Sequence, residues 1–317
     1  MKLSPYSNIH QGVSIGLFPT LLVLALLAIH FISGSLTLPL ESDVRMQRDF
    51  NTAIGMSFLS GYFWFSLRFI HQNVASTLIS ILVKTSQLSR FNEHRTTLTS
   101  TFKLHAINCF MIAVLVTLVY VFMENLLSGD VKFHQYVITI NALIFWHLFF
   151  LFLVQVTSNI RYLKANILNQ TKNYYDYLNS LSSLIRLGFV NGTISLGAVG
   201  FFPIFWFGKS IPFIDTVFVT FFAFIVSVYV FRPVQDLRRQ WTREKRNRLN
   251  TLKTEMSEAI KSGENDQANN LASELEVLTA LSMKISNVKD KVRLFACLML
   301  IVTTWSFFSA VSNGAFV

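Results

Sequence analysis

Seven apolar stretches run along the chain, and each is long enough to cross a bilayer as a helix. A helix rises about 1.5 Å per residue, so roughly 20 apolar residues cover the hydrocarbon core. The weakest stretch is 51–70, where Asn, Ser and Gly alternate with aromatic residues that suit an interface or a packed bundle. The fifth holds four glycines and Pro203, which permit close helix approach or bending. The stretches are 13–37, 51–70, 105–127, 135–157, 184–207, 212–232 and 293–315.

The basic residues between these stretches predict an orientation. Loops 71–104, 158–183 and 233–291 hold four, three and eleven Lys or Arg residues, whereas the alternate loops hold two, one and one. Because basic loops stay in the cytoplasm, the pattern predicts a cytoplasmic N-terminus and an outer C-terminus. This orientation needs an odd number of spans. Dropping the weak second span would invert the later loops, which favours keeping it.

The connections on the cytoplasmic side are long, and their apolar residues recur at helical spacing. The sequence therefore predicts that the spans continue into the cytoplasm as long helices. The clearest case is 233–291, an amphipathic hairpin that turns near Gly263. Its arms are predicted to pack on each other or on copies from other subunits. The first arm carries Leu249, Leu252, Met256 and Ala259, and the second carries Leu271, Leu275, Leu278, Ile285 and Val288.

Composition agrees with a membrane protein. Of 317 residues, 52% are hydrophobic and 14% are charged, while soluble domains carry about 25% charged residues. The predicted fold is all-α and polytopic, with a six-span unit at 1–232, a cytoplasmic hairpin at 233–291 and a seventh span at 292–317. Cys109 and Cys297 lie in apolar runs and are expected to be packing residues. No catalytic motif is present, so the sequence predicts neither an enzyme nor a cofactor or metal site.

The seventh stretch carries a polar stripe that continues as an apolar one. Serine, threonine and asparagine side chains on a helix this apolar are expected to face water or another polar surface. The apolar half toward the cytoplasm would form a constriction that closes by losing water. The alternative is that the hydroxyls join helices by packing and hydrogen bonding. The predicted pore lining is Thr303, Ser306, Ser309 and Asn313, and the predicted gate is Phe295, Met299 and Val302.

A basic cluster opens the hairpin directly after the sixth stretch. One interpretation is a stop-transfer anchor to lipid headgroups, to which each cation adds about 1 kcal/mol. The other is an anion site for a nucleotide or oligonucleotide. Assembly into an oligomer would multiply the density of positive charge at this site. Trp241 is the one aromatic side chain in the cluster, so the pattern gives little support to base stacking. The cluster comprises Arg238, Arg239, Arg243, Lys245, Arg246 and Arg248.

Three polar residues at membrane depth suggest a different class of protein. Glu124, Asn141 and His147 lie in the third and fourth stretches. Ionisable residues in spans can mark transport pathways, although the sequence favours a hydrogen-bonded core histidine and an interfacial carboxylate. They leave a small-molecule transporter open as an alternative function.

The overall plan resembles the insect odorant and gustatory receptor channels. These share seven spans, a cytoplasmic N-terminus, an outer C-terminus and cytoplasmic helices between spans six and seven. The family's last-span Tyr/Gln pattern is not reproduced, since this region reads Thr303-Thr-Trp-Ser-Phe-Phe308, and the chain is shorter. The plan is also similar to that of bacterial membrane-channel effectors of anti-phage defence. The resemblance implies a tetramer with the last span around a pore and the cytoplasmic helices as its anchor.

Together these patterns predict a ligand-gated ion channel in the cell membrane, the inner membrane if the source is bacterial. Its expected partners are the lipid bilayer, further copies of the chain in a homotetramer, and a cytoplasmic nucleotide or oligonucleotide. In this hypothesis the hairpin acts as a lever whose second arm runs straight into the pore helix. A membrane scaffold that recruits a cytoplasmic partner is the third possibility.

Overall fold

A computed structural model describes residues 4–6, 14–36, 44–124, 126, 131–168, 171, 173–209, 212–283 and 285–312. Within these residues the chain forms helices and no strand, as predicted. Six helices are long and apolar enough to cross a membrane, which is consistent with a helical membrane protein. The helix in the first predicted stretch is shorter, at 16 residues. The helices are α1 Leu17–Ile32, α2 Val44–Lys84, α3 Phe91–Met123, α4 Phe133–Asn166, α5 Tyr174–Gly197, α6 Phe213–Ser262, α7 Asn265–Ala280 and α8 Val288–Ser312.

Several helices run well past the apolar stretches, as the spacing predicts. Helix α2 covers 41 residues and α6 covers 50 without interruption. Helix α6 passes through Pro233 and ends at Gly263, whose φ of 78° is the left-handed conformation common after a helix. The turn predicted near Gly263 is therefore confirmed. Helix α7 then folds back along α6.

The core lies among α2, α4 and α5. Helix α4 packs against both α2 and α3. Phe63 of α2 is 2% exposed, and its ring lies 5.3–5.9 Å from those of Phe145, Phe149 and Phe152 on α4. Aromatic pairs at this separation add to the gain from burial. Phe63 of the second predicted stretch therefore serves packing within the bundle.

The glycines of α5 allow close helix contacts, as predicted. A Cβ atom on Gly192 would lie 2.7 Å from the ring of Phe231 on α6. Beyond Gly197 the α-helix tightens into a 3₁₀ helix, Ala198–Trp206, which contains Pro203. A Cβ on Gly200 in this segment would lie 3.1 Å from Leu300 Cγ. The small residues thus bring α6 and α8 against α5 and its extension.

The two arms of the hairpin pack on each other. Leu252 of α6 and Leu278 of α7 are both fully buried. The second arm is shorter than the apolar spacing predicts, because α7 ends at Ala280. Residues 281–283 and 285–287 are not helical, so Ile285 does not lie on α7 and Val288 begins α8. The predicted continuous lever from the second arm into the last span is therefore wrong.

Candidate functional site

Helix α8 rests against α5 and the 3₁₀ segment through one side only. Leu300 packs on Gly200, and Trp305 Nε1 donates to the carbonyl oxygen of Val199 at 3.3 Å. Farther along, the ring of Phe308 meets that of Phe207 edge to face at 5.8 Å. The side chain of Leu300 therefore lies in a packed interface.

The predicted gate and the described pore-lining residues lie on the opposite side of α8. Phe295, Met299 and Val302 are 64%, 44% and 59% exposed, and Thr303 and Ser306 are exposed as well. At 100° per residue these five positions fall within about one third of the helix circumference. The chain by itself therefore leaves this whole stripe uncovered. The side chain of Ser309 and all of Asn313 lie outside the described residues.

The hydroxyl groups of α8 bond partly within the helix. Thr303 Oγ1 donates to the carbonyl oxygen of Met299 at 2.7 Å, and Thr304 Oγ1 donates to that of Leu300 at 2.7 Å. Such bonds let a hydroxyl sit in an apolar environment without another partner. Thr303 still has free lone pairs on its exposed side. The stripe therefore fits both a wet pore and a packed interface.

The first turn of α8 is anchored to α5 by a buried carboxylate. Asp290 is 1% exposed and accepts from Arg186 Nε of α5 at 2.7 Å. It also accepts from the backbone N–H of Asn287 at 2.9 Å, which caps the helix start. Arg293 Nη1 lies 3.5 Å from the same carboxylate. This anchor was not foreseen from the sequence, and it ties α8 to α5 instead of to the hairpin.

The predicted basic cluster divides between two faces of α6. Arg238, Arg239, Arg243 and Arg246 line an open recess of about 670 Å³ together with two uncharged polar side chains of the same helix. All four are exposed. These four arginines, named here the arginine face, are the part of the predicted anion site that the structure keeps together.

The other two cations of the cluster hold α7 in place. Lys245 Nζ donates to the carbonyl oxygens of Thr279 and Leu281 at 3.1 and 2.7 Å, at the end of α7. A cation there also complements the helix dipole. Arg248 forms an ion pair with Glu274 at 2.9 Å. That hydrogen bond raises the pKa of the Arg248 guanidinium above its usual value. The charged groups of Lys245 and Arg248, both predicted for the ligand site, thus contact α7.

The polar residues considered for a transporter make separate local contacts within the described residues. Glu124 pairs with Arg48 at 2.9 Å and lines a cavity of only about 10 Å³, to which neither Asn141 nor His147 contributes. Asn141 Nδ2 lies 2.8 Å from the Nε2 atom of His30. The ring of His147 packs edge to face on Phe110 at 5.8 Å. Each residue is thus committed to its own local packing.

A second feature missed from the sequence is a buried polar network around the N-terminal segment. The hydroxyl of Tyr6 lies 2.9 Å from Asn159 Oδ1 and 3.1 Å from Gln155 Oε1 on α4. Gln155 also contacts His71 Nε2 at 3.4 Å and His105 Nδ1 at 3.1 Å. The two amides four residues apart on α4 were a signal for a polar contact. Nothing local indicated that the partner is Tyr6.

Comparisons with protein-family models, with curated proteins and with solved structures found no match.

Proposed function

We propose that the protein is a homotetrameric ion channel in which four copies of α8 surround the pore. The observation that carries the proposal is the uncovered stripe on α8. One side of α8 packs within the chain, and the opposite side carries a stripe that is polar at one end and apolar at the other. Such a helix is suited to line the central axis of an oligomer. In a ring of four, Phe295, Met299 and Val302 would form the narrow apolar part. Thr303 and Ser306 would form the wet part toward the outside, with Ser309 and Asn313 continuing it.

The proposal includes seven spans, with the N-terminus in the cytoplasm and the C-terminus outside. The distribution of basic loops supports this orientation. Helix α1 covers about 24 Å, close to the hydrocarbon thickness, and apolar residues flank it in the sequence. The hairpin then lies on the cytoplasmic side of the cell membrane, which is the inner membrane if the source is a bacterium.

The proposed trigger is a phosphate-rich ligand, a nucleotide or oligonucleotide, bound to the arginine face. Arg238, Arg239, Arg243 and Arg246 are exposed on one helix, which continues without a break into the sixth predicted span. Guanidinium groups bind phosphate by paired, charge-assisted hydrogen bonds. Four such faces in a tetramer would place sixteen arginines around the cytoplasmic end. The resemblance of the sequence to bacterial channel effectors of anti-phage defence supports a role as a defence effector.

The test is the mass of the detergent-solubilised protein, followed by recording in planar bilayers. A channel predicts a tetramer that conducts ions, with more current when a short oligonucleotide is added at low salt, where phosphate binding is strongest. A monomer without conductance would contradict the channel. A tetramer that conducts ions, but whose current does not change when the oligonucleotide is added, would contradict only the proposed trigger.

A further inference from the structure

A polar cavity of about 200 Å³ lies between α2, α5 and the first turn of α8. Its lining includes Asn73 and Ser76 of α2, Arg186 of α5, and Asp290 and Arg293 of α8. Ser76 is exposed, so the cavity opens to the surface. It is separate from both the α8 stripe and the arginine face.

The charged groups of this cavity leave a net positive charge. Asp290 is the one carboxylate in the lining, and it faces two guanidinium groups. Arg186 uses Nε for Asp290, and its Nη1 and Nη2 atoms lie 3.3 and 3.1 Å from the oxygen of Asn287 in the amide orientation that satisfies both residues. Arg293 has one long contact of 3.5 Å to Asp290 and otherwise lies over the ring of Phe69. Its remaining N–H groups are oriented by no carboxylate, so Arg293 can take an anion at little cost.

An amide donor in the same lining has no partner. Asn73 Nδ2 is buried and makes no hydrogen bond within the described structure. A buried unpaired donor costs about 1–3 kcal/mol, a cost that a bound acceptor would remove. The hydroxyls of Ser76, Thr77 and Ser80 add donors along the α2 side. The cavity therefore presents two cations and several neutral donors toward one small space.

We propose that this cavity binds a compact oxyanion, a free phosphate or a short dicarboxylate, between Arg293 and Asn73. Water in liquid occupies about 30 Å³ per molecule, so the volume fits a group of this size with a few waters and is too small for a nucleotide. The anion would join α2 to the first turn of α8 next to the Asp290 anchor. It would hold α8 in one position, and this regulatory role rests on the proposed channel function. The binding of the anion does not depend on that function.

The proposal is tested on the full chain in detergent with inorganic phosphate and malonate as probes, titrated at constant ionic strength by calorimetry. At least one probe is expected to bind saturably in the millimolar range or below. Arg293→Gln removes the cation but keeps the Asp290–Arg186 pair, and should weaken binding at least tenfold. Asn73→Ala removes only the unpaired donor and should weaken it roughly threefold to tenfold.

Arg161→Gln is the matched control, since it makes the same change of charge at an exposed arginine of α4 that lines neither the cavity nor the arginine face. Its affinity for the probes should equal that of the wild type. Saturable binding by neither probe would mean that the cavity holds water only and would overturn the proposal. An equal loss in Arg161→Gln and Arg293→Gln would do the same. If Arg293→Gln does not fold, unchanged affinity in Asn73→Ala is the overturning result. Anion binding without any conductance would contradict the channel and leave the site standing.

Discussion

Replacing Asp290 by asparagine tests the anchor at the base of α8. The substitution keeps the size of the side chain and removes its charge. Asp290 accepts from Arg186 at 2.7 Å and from the N–H of Asn287 at 2.9 Å while only 1% exposed. Both bonds are accepted by Oδ2, so the one carbonyl oxygen of asparagine can keep both contacts, but the negative charge that pairs with Arg186 is lost.

The expected cost follows from these contacts. Breaking a buried ion pair by removing one partner costs about 3–5 kcal/mol. The side chain of Arg186 is 42% exposed, however, so water stabilises part of the released charge. The retained carbonyl oxygen lowers the cost further, so we expect a loss of about 2 kcal/mol. At about 2–4 °C per kcal/mol, the apparent melting temperature should fall by roughly 4–8 °C.

The measurement is thermal unfolding followed by intrinsic tryptophan fluorescence in one detergent at one scan rate. Asp236→Asn, on the exposed surface of α6, is the matched control and should change the melting temperature by about 1 °C or less. Two results would refute the reasoning. One is an unchanged melting temperature in Asp290→Asn, and the other is an equal fall in the control.

Three further predictions address the core, the hairpin and the orientation. Tyr6→Phe leaves the buried Oδ1 atom of Asn159 without its donor and should destabilise the fold by about 1–3 kcal/mol, seen as a lower melting temperature; no change would exclude a structural role for the network. Leu278→Ala opens a cavity between α6 and α7 and should cost about 2–5 kcal/mol, detected as faster hydrogen exchange in α7; wild-type exchange would contradict the packing. Ser262→Cys should resist an impermeant thiol reagent in intact cells while Asn313→Cys reacts, and the reverse pattern would invert the orientation.

The helices were predictable because their signals are local. Apolar stretches, the lack of Pro and Gly in 71–104 and the Gly263 turn all appear in short windows of sequence. The break after Ala280 was not predicted, because the apolar spacing of α7 continues by chance through Ile285. A cap signal was nevertheless present, since Asn287 precedes the helix and Asp290 stands three residues later.

The candidate site was less predictable because its contacts are long-range. Helical spacing alone separates Lys245 and Arg248 from Arg239 and Arg246, but only the position of α7 shows which side is bound. The contact between Arg186 and Asp290 joins residues 104 apart in the chain. No local pattern encodes such a pair. On α8, by contrast, one helical stripe placed Phe295, Met299, Val302, Thr303 and Ser306 together correctly.

The most direct test of the channel is the resting current of Val302→Ser in planar bilayers. Val302 lies in the apolar part of the exposed stripe, and a hydroxyl there should let water and ions enter a closed constriction. Leu298→Ser is the control, because Leu298 is 46% exposed but lies outside the stripe, about 40° around the helix from Val302. With mass and expression matched to wild type, we expect a raised resting current in Val302→Ser and an unchanged one in Leu298→Ser. Normal assembly of Val302→Ser with no change in resting current would contradict a pore lined by α8.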